Sequence, residues 1–287
     1  MTLTFRPLGA SFAAEVVDHP DLATLEDVAV LEAIREGMDT WAVLVFRAQP
    51  FDDAGQLAFA RRFDGELHAR TGVAVLGPNR FGNEALTDIS NVDAEGRLLP
   101  PDDRRRQYGL ANRLWHTDAS FEDPPGRYSM LSARVVPPAG TADTEFADMR
   151  AAWDALPAAE QARLAPLRAH HSIAYSRQVL GFEFSSAEAA ALEGAEQPLV
   201  VANPRTGRHA LYLASHASRI VDWPLPDGRL LLRDLIEHAT QPRFVYRHRW
   251  QPHDFVIWDN RATMHRARAF DDSRERRELR RVTTLNV

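Results

Sequence analysis

The stretch Leu114–Phe121, LWHTDASF, places a histidine and an aspartate two residues apart between aromatic side chains. Residues two apart on a strand point to the same face, so His116 and Asp118 could offer an imidazole nitrogen and a carboxylate oxygen to one metal ion. Such a pair occurs often by chance, and two ligands do not complete a site. Taken alone, it favours a polar pair on a strand over a metal centre.

A third candidate ligand lies far along the chain, in VIWDNRATMHRA, where His265 is predicted just after a strongly apolar strand, within a Trp-Asp-Asn turn. Two histidines and one carboxylate form the facial triad of non-heme Fe(II) oxygenases, which leaves positions open for substrates and O2. A jelly roll could bring the two stretches together, because its first and last strands lie side by side. We therefore predict a catalytic metal set of His116, Asp118 and His265.

Five other histidines have more ordinary interpretations. His170 and His171 are adjacent, so on a strand they point to opposite faces and do not suit one ion. His238 lies on a predicted helix and His248 on a predicted strand, and both are interpreted as structural. His216, in LASHAS, is a candidate for the lining of a pocket.

The C-terminal run RERRELRRVTTL contains several arginines but ends in an apolar, β-branched stretch, which favours a strand over a solvated basic face. Alternation places Arg277 and Arg281 on one face and Arg276 on the other. A buried guanidinium needs an anionic partner, for which a carboxylate is well suited. An organic diacid that chelates Fe(II) at one end would supply that partner at its other end.

The elements that must position these residues are short strands and amphipathic helices. Apolar strands are predicted in WAVLVFR, GRYSMLSARVV, DFVIWD and LRRVTTL, and helices over Leu25–Trp41 and in GRLLLRDLIEHAT. Strands and helices do not alternate as in a parallel α/β fold. We predict a mainly β fold with helical insertions, an antiparallel double-sheet sandwich. Residues 1–287 would form one domain, with a helical insert around 148–195.

Composition narrows the classes of function. The 287 residues carry a net charge of −6, which argues against a nucleic-acid partner. There is no cysteine and no lysine, so thiolate and Schiff-base chemistry are excluded and anions must be held by arginine. No signal peptide or membrane span is predicted. We expect a cytoplasmic homo-oligomer that binds a small-molecule aromatic carboxylate and neither nucleic acid nor membrane.

Four stretches in this order, WHTDASF, PPAGTADTEF, WDNRATMH and RRELRRVTTL, resemble the taurine / 2,4-dichlorophenoxyacetate dioxygenase family. The likeness runs nearly end to end, and it is stronger to members that act on 2,4-dichlorophenoxyacetate than to those that act on taurine. It implies a double-stranded β-helix (jelly roll) core, with Fe(II), 2-oxoglutarate and O2 as reactants. The implied iron ligands are His116, Asp118 and His265.

The resemblance also implies roles for other residues. Thr144 and Arg277 match the positions that hold 2-oxoglutarate. One extra residue after His265 leaves Arg276 as an alternative to Arg277. Arg281 and Asn112 match positions that contact substrate, and His216 joins them as a pocket candidate.

The implied reaction is hydroxylation of an aryloxyalkanoate such as 2,4-dichlorophenoxyacetate, giving a phenol, glyoxylate, succinate and CO2. Arg70 and Arg97 stand in stretches where lysines are expected near the substrate entrance, which leaves open the same chemistry on a sulfonate or another aromatic carboxylate. A cupin-like metal hydrolase would have no use for the 2-oxoglutarate arginine. An arginine-rich binding module would have no use for the histidines.

Overall fold

The computed structural model describes residues 2–69, 73–77 and 79–287. In these ranges the chain forms the strands β1 (Thr4–Pro7), β2 (Ala14–Val17), β3 (Val43–Phe46), β4 (Thr87–Ser90), β5 (Gly126–Val135), β6 (Thr144–Asp148), β7 (Arg168–His171), β8 (Ala195–Pro198), β9 (Val200–Ala202), β10 (His209–Leu211), β11 (Ala217–Ile220), β12 (Val245–His248), β13 (Phe255–Asp259), β14 (Thr263–Ala267) and β15 (Glu278–Leu285).

The helices are α1 (Val28–Trp41), α2 (Asp53–Asp64), α3 (Val73–Leu76), α4 (Arg104–Gly109), α5 (Met149–Asp154), α6 (Ala158–Leu164), α7 (Ile173–Gln178), α8 (Ser186–Ala190) and α9 (Leu225–Ala239). Two 3-10 turns, Leu110–Arg113 and Pro242–Phe244, join them. No helix in the described ranges has the length and apolarity needed to cross a bilayer. The protein is therefore built mainly from sheet, with helices inserted between strands, as the sequence predicts.

Two sheets carry the architecture. The larger has seven strands in the order β1-β2-β3-β13-β5-β15-β4, and the smaller has three in the order β12-β6-β14. All pairings within these two sheets are antiparallel except that of β2 with β3. The remaining strands form a three-stranded sheet, β11-β7-β8, and a hairpin of β9 with β10.

The first four residues of strand β13, FVIW, are all apolar because both faces of the strand are covered. Phe255 and Ile257 face the core that helices α1 and α2 form against the larger sheet. Val256 and Trp258 face the opposite way, into the core between the two sheets, where Phe146 of β6 meets them. A strand covered on both faces needs apolar residues at every position, so the alternation of a half-exposed strand is absent.

The outer face of the smaller sheet is also covered. Ala147 of β6 and Met264 of β14 pack with residues of α5, α9 and β10, among them Trp153, Leu232 and Leu211. The segment that follows β6 thus shields the smaller sheet from solvent. The predicted metal residues lie between the two sheets, with His265 on β14 of the smaller sheet and Asp118 bound by Ser129 of β5.

The main strands and the long helices lie where the sequence predicts them, and three local predictions are wrong. The stretch around His116 is not a regular strand: His116 makes a single bridge, and Asp118 opens a turn. His265 follows the apolar strand β13, as predicted, but it lies within β14 rather than in the Trp-Asp-Asn turn. The polar segment 93–107, DAEGRLLPPDDRRRQ, has a composition that predicts a turn followed by a loop, but it contains the start of α4, which Asp103 caps through Arg105 N.

A buried glutamine joins helix α2 to the larger sheet, which yields a test of this packing. Gln56 Nε2 donates to the carbonyls of Met130 and Arg280, at 3.1 and 2.9 Å, and Ser132 Oγ donates to Gln56 Oε1. Gln56→Ala should lower the free energy of unfolding, measured by urea denaturation, by about 2–3 kcal/mol, because buried polar groups lose their partners. The exposed Gln251→Ala is the control and should change it by less than about 0.5 kcal/mol. Equal effects would show that α2 is held by apolar contacts alone.

Candidate active site

Reciprocal backbone hydrogen bonds bring the two histidines together. His116 N donates to His265 O at 2.9 Å, and His265 N donates to His116 O at 2.8 Å. Residues directly opposite each other in an antiparallel pair project their side chains to the same face. The two imidazole rings accordingly lie with centroids 4.2 Å apart. Residue 116 in effect extends the smaller sheet beyond β14 by one bridge.

Asp118 is held by residues of the larger sheet. Ser129 Oγ of β5 donates to Asp118 Oδ2 at 2.7 Å, and Asn260 Nδ2 donates to that same Ser129 oxygen. Asn260 Oδ1 accepts the backbone N–H of Asp118 at 3.1 Å. The turn lies so close to β5 that a Cβ at Gly126 would come within 2.8 Å of Asp118 O, so only glycine fits there.

The three side chains are arranged as a cation site. Their ligand atoms lie within 4.8 Å of one another, and all three residues are buried. Each Nε2 faces one Asp118 oxygen, at 3.7 Å from Oδ1 for His116 and from Oδ2 for His265. Neighbouring ligands of an octahedral metal with bonds of about 2.1 Å are about 3 Å apart, so small shifts would seat an ion.

The protonation states of the two imidazoles and of the Asp118 carboxylate are also those that a metal ion requires of its ligands. His116 Nδ1 lies 2.8 Å from Leu114 O, so that nitrogen carries the proton and Nε2 presents its lone pair to the carboxylate. Burial lowers the pKa of His116 to about 4 and that of His265 well below its usual range. Burial alone would raise the pKa of Asp118, but the charge of Arg281 and the hydrogen bond from Ser129 hold it at about 2. Neutral imidazoles facing an ionised carboxylate leave room for a positive charge between them.

Arg281, predicted to contact substrate, forms an ion pair with Asp118 Oδ1. The same side chain lines the cavity that opens beside the metal residues. Its guanidinium therefore touches the Asp118 carboxylate and the cavity at once. Its charge is already neutralised by Asp118.

The cavity beside the site has a volume of about 260 Å³, close to the lower end of small-molecule pockets, roughly 300 Å³. Apolar side chains such as Leu76, Val92, Phe121 and Ile173 form part of its wall. Among the residues that the structure describes, eight arginines line it: Arg80, Arg105, Arg106, Arg113, Arg177, Arg268, Arg277 and Arg281. Two acidic residues of the same ranges line it as well, Asp88 and Asp272. A positive cavity in a protein of net charge −6 selects anionic ligands.

Most of these arginines have an acidic partner. Asp272 pairs with both Arg106 and Arg113, at 2.6 and 3.0 Å, and Arg80 pairs with Asp88 and Glu278. Arg105, Arg268 and Arg281 pair with Asp103, Glu145 and Asp118. Within the described part of the chain, Arg177 and Arg277 line the cavity without any ion pair. Both are buried, with 6% of their surface exposed.

The neighbouring residues Arg276 and Arg277 differ sharply. Arg276 is half exposed and its NH2 lies 2.5 Å from Glu278 Oε1. Arg277 is buried, its Nε has no hydrogen-bond partner, and its backbone N–H donates to Asn91 Oδ1. Burial lowers the pKa of Arg277 to about 10, so its guanidinium stays charged at neutral pH. The geometry favours Arg277 over Arg276 as the site for an anion.

The other predicted site residues occupy different places. Asn112 lies in the 3-10 turn that lines the cavity. Thr144 begins β6 opposite Ala267, another lining residue, and its Oγ1 accepts a 3.0 Å hydrogen bond from Trp250 Nε1. His216 is fully buried against the His116 ring and lies 2.9 Å from Ser176 Oγ. It is not among the residues that line the cavity.

Of the two arginines expected near the substrate entrance, Arg70 and Arg97, the structure describes one. Arg70 lies outside the described residues. Arg97 is exposed and pairs with Asp93 and Glu95, and it is not one of the cavity-lining residues.

Three residues of the site were not singled out from the sequence. Arg177 and His68 line the cavity, and Asn260 orients Asp118. Burial lowers the pKa of His68 to about 4, so its imidazole is neutral. Of these, only Asn260 had a visible signal, because it lies in the Trp-Asp-Asn turn just before His265. A lone arginine on a short helix looks like part of a solvated surface.

Comparisons with known proteins agree on one family. Residues 4–283 match the family described as taurine catabolism dioxygenase TauD, TfdA family. The chain is 47% identical over its whole length to the alpha-ketoglutarate-dependent 2,4-dichlorophenoxyacetate dioxygenase of Cupriavidus pinatubonensis, covering 99% of that protein. It is 36% identical to the (S)-phenoxypropionate/alpha-ketoglutarate-dioxygenase of Sphingobium herbicidovorans, over 94% of this chain and 91% of that one.

A solved structure is similarly close. The crystal structure of AAD-2 in complex with Mn(II) and N-oxalylglycine superposes with a TM-score of 0.94 at 44% identity, covering 100% of this chain and 99% of that chain. Likeness at this level extends through the whole fold and includes the region of the three metal-site residues.

The metal-site geometry predicts what a ligand deletion does. His265→Ala should weaken Mn(II) binding by at least about 100-fold, measured by calorimetric titration, because one of three protein ligands is lost. His209→Ala, an exposed histidine that stacks on Trp153, is the control and should bind Mn(II) as the unaltered protein does. Both variants should unfold cooperatively. Tight, stoichiometric binding by His265→Ala would refute the three-residue site.

Proposed function

Since this chain belongs to the taurine catabolism dioxygenase TauD, TfdA family, we propose that it is an Fe(II)- and 2-oxoglutarate-dependent dioxygenase that hydroxylates an aryloxyalkanoate such as 2,4-dichlorophenoxyacetate. The observation that carries this proposal is a His–Asp–His set whose Asp118 pairs with a cavity-lining residue, Arg281, beside a cavity that also holds a buried arginine without an acidic partner among the described residues. A redox metal and a diacid co-substrate need those two features together.

In this proposal His116, Asp118 and His265 hold Fe(II) on one face. Bound iron, with 2-oxoglutarate and O2 in its open positions, supplies the oxidising chemistry. The protein keeps both imidazoles neutral by burial and keeps Asp118 oriented through Ser129 and Asn260. Such support of the ligands fixes their geometry before any reactant binds.

Arg277 receives the far carboxylate of 2-oxoglutarate. Its guanidinium is charged and buried and has no acidic partner among the described residues, so an incoming carboxylate relieves an unfavourable charge. Thr144 adds a hydroxyl: its oxygen already accepts a hydrogen bond from Trp250, which leaves its proton to donate. Both residues act by binding and orientation, not by moving protons.

The organic substrate is an aryloxyalkanoate whose ring lies against the apolar wall, including Phe121 and Ile173. Hydroxylation of the carbon beside the ether oxygen gives a hemiacetal, which breaks into a phenol and glyoxylate. The second oxygen atom of O2 goes to 2-oxoglutarate, which leaves as succinate and CO2. Placing that carbon next to the metal decides which C–H bond reacts.

Two alternatives have weaker support. The same chemistry on a sulfonate would not need the apolar wall of the cavity. A metal-dependent hydrolase would leave the buried guanidinium of Arg277, which has no acidic partner among the described residues, without a role. The wall and the unpaired arginines both favour an aromatic carboxylate and 2-oxoglutarate.

The chain forms a jelly-roll core within a single domain. The two facing sheets make a double-stranded β-helix, with the metal residues between them. Residues 1–287 act as one catalytic domain in which the segment around 148–195 covers the smaller sheet. Support comes from the continuous cores on both sides of the larger sheet.

A substrate panel tests the reaction. With Fe(II), 2-oxoglutarate and O2, we expect succinate and phenol from 2,4-dichlorophenoxyacetate and phenoxyacetate, because their ring and carboxylate match the cavity. Taurine should give little succinate above the substrate-free rate, and cinnamate measures tolerance for an aromatic acid without the ether. Succinate is measured by chromatography and phenol by colour formation. Turnover of taurine alone would refute an aromatic acid as substrate.

A matched pair of variants tests the 2-oxoglutarate site. Arg277→Ala should raise KM for 2-oxoglutarate far more than KM for the organic acid, because loss of a desolvated charge pair costs about 2–5 kcal/mol. Arg276→Ala, one residue away and half exposed, should change both values by less than about threefold. Steady-state kinetics with each reactant varied in turn measures the difference. A larger effect from Arg276→Ala would place the anion site on the other face of the strand.

A further inference from the structure

Arg177 is the second buried guanidinium on the cavity wall that lacks an acidic partner among the described residues. It lies on helix α7 and is 6% exposed. Its NH1 donates to Ser176 Oγ at 2.8 Å, its guanidinium lies 4.7 Å from the centre of the Tyr108 ring, and its Nε has no hydrogen-bond partner. A hydroxyl and an aromatic face stabilise a guanidinium without neutralising it. The side chain therefore still lacks a counter-ion.

The surroundings of Arg177 suit the acidic end of an aromatic ligand. Ile173 lies one helical turn earlier on α7, so the two side chains share a face, and both line the cavity together with Phe121. An apolar surface thus lies directly beside a buried positive charge. That combination matches a molecule with a ring and a carboxylate a short distance apart.

Arg177 also lies close to the metal residues. Ser176, its hydrogen-bond partner, lies 2.9 Å from His216 Nδ1, and the His216 ring packs edge-on against His116. An anion held by Arg177 would therefore be near the iron ligands and distinct from the anion site at Arg277.

Arg281 is less suited to that role. It is already paired with Asp118 Oδ1, so its positive charge has a counter-charge within the protein. A second carboxylate at Arg281 would have to compete with Asp118 or share the guanidinium with it. Arg177 faces no such competitor, because its guanidinium donates to the Ser176 hydroxyl and forms no ion pair with any described carboxylate.

We infer that Arg177 is the specificity-determining residue that binds the carboxylate of the organic substrate, while Arg277 binds 2-oxoglutarate. The two buried guanidiniums without acidic partners correspond to two acidic reactants in one cavity. Arg281 then orients Asp118. This assignment rests on the proposed function, because it takes the substrate to be an aryloxyalkanoate.

The test compares an acid with its neutral amide. Protein loaded with Mn(II) and N-oxalylglycine is titrated anaerobically with phenoxyacetate and with phenoxyacetamide, and the dissociation constants are measured by calorimetry. The unaltered protein should bind the acid at least about 30-fold more tightly than the amide. Arg177→Gln should reduce that ratio to below about threefold, and Arg177→Lys should keep part of it. Binding of N-oxalylglycine should stay within about threefold of the unaltered protein in both variants.

Arg113→Gln is the matched control, because Arg113 lines the same cavity but is neutralised by Asp272. It should keep the preference for the acid. Substrate-free Arg177→Gln should melt at or above the temperature of the unaltered protein, since it removes an uncompensated buried charge. A marked fall in melting temperature would show that Arg177 is structural and overturn the assignment.

The titrations distinguish an error in the role of Arg177 from an error in the proposed substrate class. If the unaltered protein prefers the acid and Arg177→Gln does so equally, the assignment of Arg177 is wrong and the proposed function stands. If the unaltered protein binds neither compound, the proposed substrate class fails and the assignment fails with it. Loss of the preference in Arg177→Gln and not in Arg113→Gln supports the assignment.

Discussion

The site depends on two backbone hydrogen bonds between His116 and His265. They join a turn that follows a 3-10 helix to a strand near the other end of the chain, and they make the two imidazoles neighbours on one face. Asp118, two residues on, is then fixed from the opposite sheet by Ser129 and Asn260. The ligand set thus spans both sheets, and its geometry is only as stable as the core that holds those sheets together.

Charge is the second constraint on the cavity. Eight arginines on one wall would repel one another strongly, and the protein limits this by giving six of them a carboxylate within 4 Å. Two guanidiniums, those of Arg177 and Arg277, are left without one among the residues the structure describes. Leaving a buried cation uncompensated lowers stability. Such a cost is expected at binding sites, where the ligand supplies the missing charge.

The periodicity of apolar residues predicted the longer strands and helices, because each of these elements depends on residues that are close together in the sequence. The apolar run of β13 follows from the burial of both its faces, and α1 follows from its helical spacing. The pairing of His116 with His265 leaves no such mark, so a regular strand was wrongly expected around His116. The family resemblance, confirmed by the match over residues 4–283, supplied the connection that periodicity could not. Neither periodicity nor the family resemblance pointed to Arg177, because only the tertiary packing shows whether an arginine is buried or lies on the surface.

The segment between β14 and β15 is held at both ends by strand ladders, with β6 on one side and with β5 and β4 on the other. Arg268, Phe270 and Asp272 of this segment line the cavity. Insertions or deletions here can therefore reshape the entrance while His265 and Arg281 keep their positions. In such a scaffold, changes in the length of the segment between β14 and β15 can alter which acids the enzyme accepts as substrates, while the metal site stays unchanged.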